Sequence, residues 1–446
     1  MDQRQGNNAA PSNDFTEHTR WNFAAIVSES ASFQTGRAWS DPSAVLPLFI
    51  AALTPSTVVI GLIPVLQRLG FLLPQLPMAS VVGHRPRRAP YLRWGVLVGR
   101  FPFLLFVAYF WMRGLSSPGT VLWFLLLSYF SVALGNGFVA IPWQDIIAKS
   151  IPPRLRGRFW GTLMFTHAIA AFGVGFVVRH LLGPHGPGFP RSYLILFTLS
   201  AVFYTMSTIG CALIREPIRP VLKRREPLRK VIAAARPLLA RRPEFRSLVS
   251  IGVVAFGVVF TMPFYIVYAT GELGIEPEMA GVYIWAAMLG GAFFSLLWGR
   301  LNDRRGPRAV LRAGCLFAML APLLAISIPI ATRAAARALP PVEEAMPYLF
   351  GLVFVVGQSA MGALFMGTIN YVFGLATDEE RPRYIGLFNT LSAPGAAFPL
   401  AVGWLLNSLP FPAVLAMLAA CGAGVVVLSQ RMPQPKTERA FGPDLA

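Results

Sequence analysis

Residues 215–246 read REPIRPVLKRREPLRKVIAAARPLLARRPEFR and hold eleven Lys and Arg against three Glu. On either side the sequence turns apolar. Six apolar runs precede this stretch, starting near Asn22, Thr57, Trp94, Gly119, Phe159 and Ser192. Six follow it, starting near Ser247, Met279, Ala309, Pro347, Tyr384 and Phe411. A membrane-spanning helix needs ~20 mostly apolar residues to cross ~30 Å of hydrocarbon, and each run is of that order. The pattern predicts an all-α membrane protein with twelve transmembrane helices in two six-helix bundles. The expected divisions are a cytoplasmic tail over 1–20, a bundle over 21–214, the basic linker over 215–246, a second bundle over 247–430 and a second tail over 431–446. Polar residues interrupt the first, third and tenth runs most.

Composition narrows the classes. Of 446 residues, 55% are hydrophobic and 13% charged, against roughly 45–50% and 25% in soluble domains. A net charge of +19 raises the question of a nucleic-acid partner, but a mean hydropathy of +0.56 argues against one. The basic residues fall in short clusters between apolar runs, where cytoplasmic membrane loops carry them. Of 39 Lys and Arg, 31 lie on segments that share a side with both termini and five on the opposite side, while Arg37, Arg68 and Arg100 lie within spans. That bias predicts cytoplasmic termini and an inner-membrane, multi-pass protein, with the linker on the lipid surface. The first twenty residues lack the basic start and short apolar stretch of a signal peptide, so no cleavage is expected. Cys211, Cys315 and Cys421 are far apart and predict neither a disulfide nor a metal site.

The two halves repeat. HRPRRAPYLRWG from His84 lines up with DRRGPRAVLRAG from Asp303, a displacement of 219 residues, and RGRFWG from Arg156 with RPRYIG from Arg381, a displacement of 225. Parallel repeats of this size are a transporter architecture.

At the end of the eighth run the chain reads GRLNDRRGPR, Gly299 to Arg308. This resembles the signature of the major facilitator superfamily, G-x-L-x-D-R-x-G-R-R/K, at Gly299, Leu301, Asp303, Arg304, Gly306 and Arg308, with Pro307 departing. The resemblance implies a bacterial transporter whose bundles rock about a midplane site. It also implies a conformational latch at Gly299, Asp303, Arg304, Gly306 and Arg308. Gly299 would let two helices approach, and Asp303 would accept from a neighbouring helix N-terminus. The first-half copy has His84 where the acid should stand. The fourth run, SYFSVALGNGFVAIPWQD, lacks the arginine of the family's proton-relay motif, and the fifth lacks its antiporter motif.

Intramembrane charges mark the candidate site, because a charged side chain at the bilayer centre costs ~2.5–3.5 kcal/mol or more. In the first run Gln34, Arg37 and Asp41 fall on one helical face at ~100° per residue, and Arg37 with Asp41 has ion-pair spacing. Glu29 is a looser member, placed either with that face or against a neighbouring helix. Arg37 would attract an anionic or polar substrate while Asp41 or Glu29 changes protonation. Arg68 lies midway along the second run, either binding substrate or neutralising an acid, whereas Arg100 reads as snorkelling to the cytoplasmic side. His167 is the histidine well inside a span, placed either for proton transfer or for helix packing. In the second half Tyr265, Tyr268, Gln358, Asn370, Asn389 and Thr390 offer a neutral polar wall, with Pro263, Pro394, Pro399 and Gly395 as helix breakers.

The resulting expectation is a secondary active transporter of a small anionic or polar organic solute, coupled to protons, monomeric, and without cofactor, metal or nucleic acid. The alternatives are an exporter of amphipathic compounds and a transporter-shaped sensor or assembly factor. No GxxxxGK[ST], HExxH or DDxxD occurs, and the densest acidic run, Asp378 to Glu380, reads as the start of a helix, so an enzyme is not expected.

Overall fold

A computed structural model of the chain describes residues 18–75, 77–78, 85–218, 233, 235–337, 341–377 and 380–433. His84, Asp378 and Glu379, most of the expected N-terminal tail, residues 219–232 of the linker and the end of the C-terminal tail lie outside the described residues. Helices dominate, and no strand occurs among the described residues. They are α1 (Thr19–Trp39), α2 (Val45–Leu53), α3 (Thr57–Leu72), α4 (Ala89–Arg113), α5 (Pro118–Ser150), α6 (Pro153–Leu182) and α7 (Arg191–Leu213), then α8 (Ala235–Arg241), α9 (Pro243–Val259), α10 (Pro263–Gly271), α11 (Met279–Arg305), α12 (Pro307–Ala336), α13 (Pro341–Leu375), α14 (Arg381–Leu391), a 3-10 turn (Ala393–Ala397), α15 (Phe398–Leu405) and α16 (Phe411–Gln430).

Proline sets many of the starts. α4, α5, α6, α9, α10, α12 and α16 each carry one in the first turn, where the missing N–H costs nothing and the fixed φ suits the helix. The same chemistry breaks two runs: Pro263 opens α10 just after α9 stops, and Pro394 with Gly395 sits in the 3-10 turn before α15.

Among the described residues ten helical segments are long and apolar enough to cross a membrane, with Pro243–Gly271 (α9 and α10) and Arg383–Leu405 (α14 to α15) each counted as one. The other two expected runs behave differently. α3 is apolar but has 16 residues, and α1 carries Glu29, Gln34 and Arg37, which keep it below a spanning hydropathy. The third and tenth runs, despite their polar interruptions, are among the ten. Outward-facing Trp94, Leu127, Phe165 and Trp404 are each 65–67% exposed, a surface suited to hydrocarbon rather than water.

The helices before residue 219 pack mainly on each other, α1 on α6 and α7 and α4 on α5 and α7, as do those after it, α12 on α13 and α16 and α11 on α13. The two sets meet along α6 with α11, α3 with α15, and α2 with α10. Every one of these meetings lies at the end of the molecule away from the chain termini. There one apolar core joins both halves, running from Trp39, Phe49 and Phe103 to Tyr265, Tyr283 and Phe350. At the opposite end the cores are separate, one around Ile26, Leu92, Phe159 and Ile214, the other around Phe245, Leu311, Tyr371 and Tyr384. The molecule is therefore closed at the far end and split at the end where the described chain starts and stops, near Thr19 and Met432.

Candidate functional site

The closed end is tight. α6 and α11 cross at Gly175 and Gly281, where a Cβ on Gly281 would stand 2.7 Å from the Arg179 backbone nitrogen. Trp285 Nε1 donates to the Phe172 carbonyl at 2.7 Å, its ring centroid 4.1 Å from that of Phe176. Beside them Arg179 and Glu278 approach to 3.9 Å. Thr57 Oγ1 donates to the Gly403 carbonyl at 2.5 Å across the α3–α15 crossing.

Below this seal sit the charges of the first half, arranged differently from the expectation. Glu29 takes the second of its two expected places, against neighbouring helices: it is 5% exposed and lies at the centre of a buried network. Ser207 Oγ donates to Glu29 Oε1 at 2.8 Å and Trp143 Nε1 to Glu29 Oε2 at 3.1 Å, with Arg100 Nη2 at 3.5 Å. Arg100 does not snorkel. It is 4% exposed, its Nη1 donating to Ser207 Oγ at 2.7 Å and its Cζ 5.1 Å from the Phe33 ring centroid. The ion pair is buried with further hydrogen bonds, the condition under which such a pair holds.

The Arg37–Asp41 ion pair does not form. α1 ends at Trp39, so Asp41 leaves the helical face that the spacing assumed and turns to the start of α2. Its Oδ1 accepts from the N–H groups of Ser43 and Ala44 at 2.8 and 2.9 Å and from Ser43 Oγ at 2.5 Å, the local turn that aspartate favours. Arg37 and Gln34 are half-buried, and neither makes a hydrogen bond or ion pair among the described residues. Arg68 is also half-buried. It neutralises neither acid but reaches across to the second half, with its Cζ 6.0 and 5.8 Å from the ring centroids of Phe256 and Phe260 and its buried Nε without a partner. His167 Nε2 and Ser30 Oγ share a hydrogen bond of 3.0 Å, joining α6 to α1.

The second-half wall is only partly a wall. Tyr265 is 1% exposed within the joint core and lines no open face, and Tyr268 packs against Phe411. Asn370 Nδ2 donates to Asn302 Oδ1 at 3.2 Å, a tie between α13 and α11, and Thr390 Oγ1 bonds back to its own helix. Gln358 and Asn389 are half-buried, with Gln358 against Gly291.

The expected latch is not engaged. Gly299 has open space where a helix was expected to approach, and Asp303 and Arg304 are exposed, with no hydrogen bond from a helix N-terminus to Asp303 among the described residues. Gly306, at φ +75°, makes the tight turn between α11 and α12, a backbone that suits glycine. Arg308 Nη2 and Arg312 Nη2 donate to the Gln430 carbonyl at 3.0 and 2.6 Å, satisfying the negative C-terminal end of α16.

Sequence reasoning missed the charge cluster of the first half. Arg88 pairs with Asp145 at 2.5 Å, and Lys149 pairs with Asp145 at 2.8 Å and with Glu216 at 3.1 Å. Glu216 Oε2 also accepts from the N–H groups of Arg88 and Ala89 at 2.6 and 2.7 Å, capping α4. The i, i+4 spacing of Asp145 and Lys149 in WQDIIAKS was the available signal. Glu380 likewise accepts from Thr377 N–H at 3.3 Å and Oγ1 at 3.1 Å at the start of α14.

Residues 30–398 and 266–443 match the Major Facilitator Superfamily, and the chain belongs to that family. It is a multi-pass membrane transporter by family and fold. A bacterial homologue of the iron transporter ferroportin in its inward-facing state is similar at a TM-score of 0.68 and 14% identity, covering 93% of this chain and 98% of that one. In its outward-facing state such a homologue is similar at 0.56 and 15% identity, covering 92% and 98%. The nucleoside transporter NupG is similar at 0.67 and 12% identity, covering 93% and 99%. No curated protein matches the sequence significantly.

Proposed function

We propose that the chain is a secondary active transporter that moves a small organic anion across the inner membrane by alternating access. Its twelve transmembrane legs form two six-helix bundles, with cytoplasmic termini and α1 and α3 as the first two legs. Uncompensated charge carries this reading. Arg100 is occupied by Glu29 and Asp41 by backbone amides, which leaves Arg37 and Arg68 as cations without acidic partners among the described residues. A guanidinium in a membrane interior is costly unless something anionic meets it. The split end supports an inward-facing state, in which both arginines await substrate from the cytoplasm. The higher TM-score to an inward-facing neighbour agrees with it.

Proton coupling runs through Glu29 in this reading, because it is an acid buried between α1, α4, α5 and α7 and its Arg100 contact, at 3.5 Å, is its longest. Export of an amphipathic compound is the second reading, favoured by the aromatic faces of Phe256 and Phe260. Thermal unfolding of the detergent-purified protein with a panel of organic anions, sugars, amino acids and lipophilic cations separates the two. Ligand at a hundredfold excess over its Kd adds about 2.7 kcal/mol to the native state. An anion should raise the midpoint in the wild type and not in Arg37→Ala or Arg68→Ala. Stabilisation by lipophilic cations alone, unchanged in both variants, would select export.

A further inference from the structure

The two seams between the halves differ below the seal. On one, α3 stays closed for several turns: Gly61 packs on the Pro399 backbone, Pro64 and Val65 are buried, and Arg68 still reaches the rings of Phe256 and Phe260. On the other, α6 and α11 meet at Gly175 and Gly281 and, one turn on, through Trp285, which bonds the Phe172 carbonyl and lies beside the Phe176 ring. Positions four, seven and eleven residues apart share one face of a helix. Counted back from Phe172 that face holds Ala168, Phe165 and Gly161, and counted on from Trp285 it holds Leu289, Ala292 and Leu296. The faces that meet above are thus open below: all but the half-buried Ala168 are exposed, and a Cβ on Gly161 would meet nothing within 4 Å.

None of these six residues has a polar side chain. Both helices have the length and hydropathy of membrane spans, so the outer side of this seam is hydrocarbon, from which a polar solute gains nothing. What meets an apolar slot from that side is an acyl chain. On the inner side α1 lies against α6, tied by the bond between Ser30 and His167. Arg37 stands seven residues beyond Ser30, about 10 Å nearer the seal at 1.5 Å per residue. From this placement we infer that the α6–α11 seam is a lateral slot for an acyl chain, and that the solute is a long-chain carboxylate taken from the leaflet on the side of the termini. Its carboxylate meets Arg37, which offsets the cost of a charge at that depth, and its tail lies in the seam. Measured from water, each methylene the slot takes in tightens binding by roughly fourfold.

This rests on the anion reading, and one experiment separates their failures. Binding of dodecanoate and of butyrate to the full-length protein in phosphatidylcholine nanodiscs is measured by calorimetry against the free aqueous concentration, with empty nanodiscs subtracted. The wild type is compared with Gly161→Leu, Ala292→Leu and Arg37→Ala. In the wild type dodecanoate should bind on the order of a hundredfold more tightly than butyrate, with only part of its chain in the seam. Either leucine enters open space, so the thermal midpoint and butyrate affinity should hold while dodecanoate affinity falls about tenfold. Arg37→Ala should weaken both acids. Equal wild-type affinities, or dodecanoate binding that both leucine variants leave intact, overturn the slot and leave the anion reading standing. Dodecanoate binding that falls in the leucine variants but not in Arg37→Ala overturns the carboxylate site, and the anion reading with it. Failure of the wild type to bind either acid overturns the slot, and with a negative anion panel it removes the anion reading as well.

Discussion

The two ends of the molecule are built from different interactions. The far end is one apolar core shared by both halves and pinned at glycine crossings, with the long Arg179–Glu278 ion pair at its edge. The end that carries the termini has two separate cores, each finished by charge: Arg88, Asp145, Lys149 and Glu216 in the first half, Arg308 and Arg312 on helix carbonyls in the second. Apolar contact releases surface to water or lipid when it opens, and its cost scales with area. A charge cluster confined to one half costs nothing when the halves part. The difference teaches that the seal is made between halves while the charges hold each half together, so the proposed alternating-access motion would break packing and leave the ionic frames intact.

The largest effect should come from within one half. Arg100→Ala leaves the Glu29 carboxylate buried without its cation and should lower stability by about 3–5 kcal/mol, read as a fall in the thermal midpoint. Leu or Met at Arg100 should fare no better, since the loss is of charge and not of volume. A variant within error of the wild type would mean that Ser207 and Trp143 alone carry Glu29.

Next comes the seal. Gly281→Leu drives a side chain into Arg179 and the α6 backbone, and overpacking of this kind costs about 1–3 kcal/mol. Since that cost falls on the closed far end alone, the population should move toward the opposite state by roughly tenfold per 1.4 kcal/mol. Labelling of a cysteine placed at Phe172 by a membrane-impermeant maleimide should rise accordingly. Unchanged labelling would place the seal elsewhere.

The smallest effect tests the idle latch. Asp303 is exposed here, so Asp303→Asn should change thermal stability by less than about 0.5 kcal/mol. It should slow turnover all the same, if the acid engages only when the split end closes. A large loss of stability in the resting protein would show that the latch is already made.

Much of this was legible in the sequence. The apolar runs around residues 215–246 and the GRLNDRRGPR turn pointed to the family, and the proline breakers fall where the seventh and eleventh runs bend. The site was legible only as a set of charges. The face shared by Arg37 and Asp41 assumed a helix continuous through 41, but α1 stops at Trp39. Arg100 was placed near a surface by a run starting at Trp94, whereas α4 begins at Ala89, which sets Arg100 about 16 Å along the helix at 1.5 Å per residue. Its pairing with Glu29, 71 positions away, is tertiary and leaves no local periodicity to read. The capping of α4 by Glu216 is hidden for the same reason.

The most direct test of the central claim is transport itself. Uptake of a radiolabelled anion chosen by the thermal panel is measured in proteoliposomes bearing the wild type, Arg37→Ala, Arg68→Ala and Glu29→Gln, with and without an imposed pH gradient. Saturable uptake that is lost in both arginine variants, with Glu29→Gln keeping exchange but losing gradient-driven accumulation, is the predicted result. Uptake that proceeds normally without Arg37 and Arg68 would contradict it.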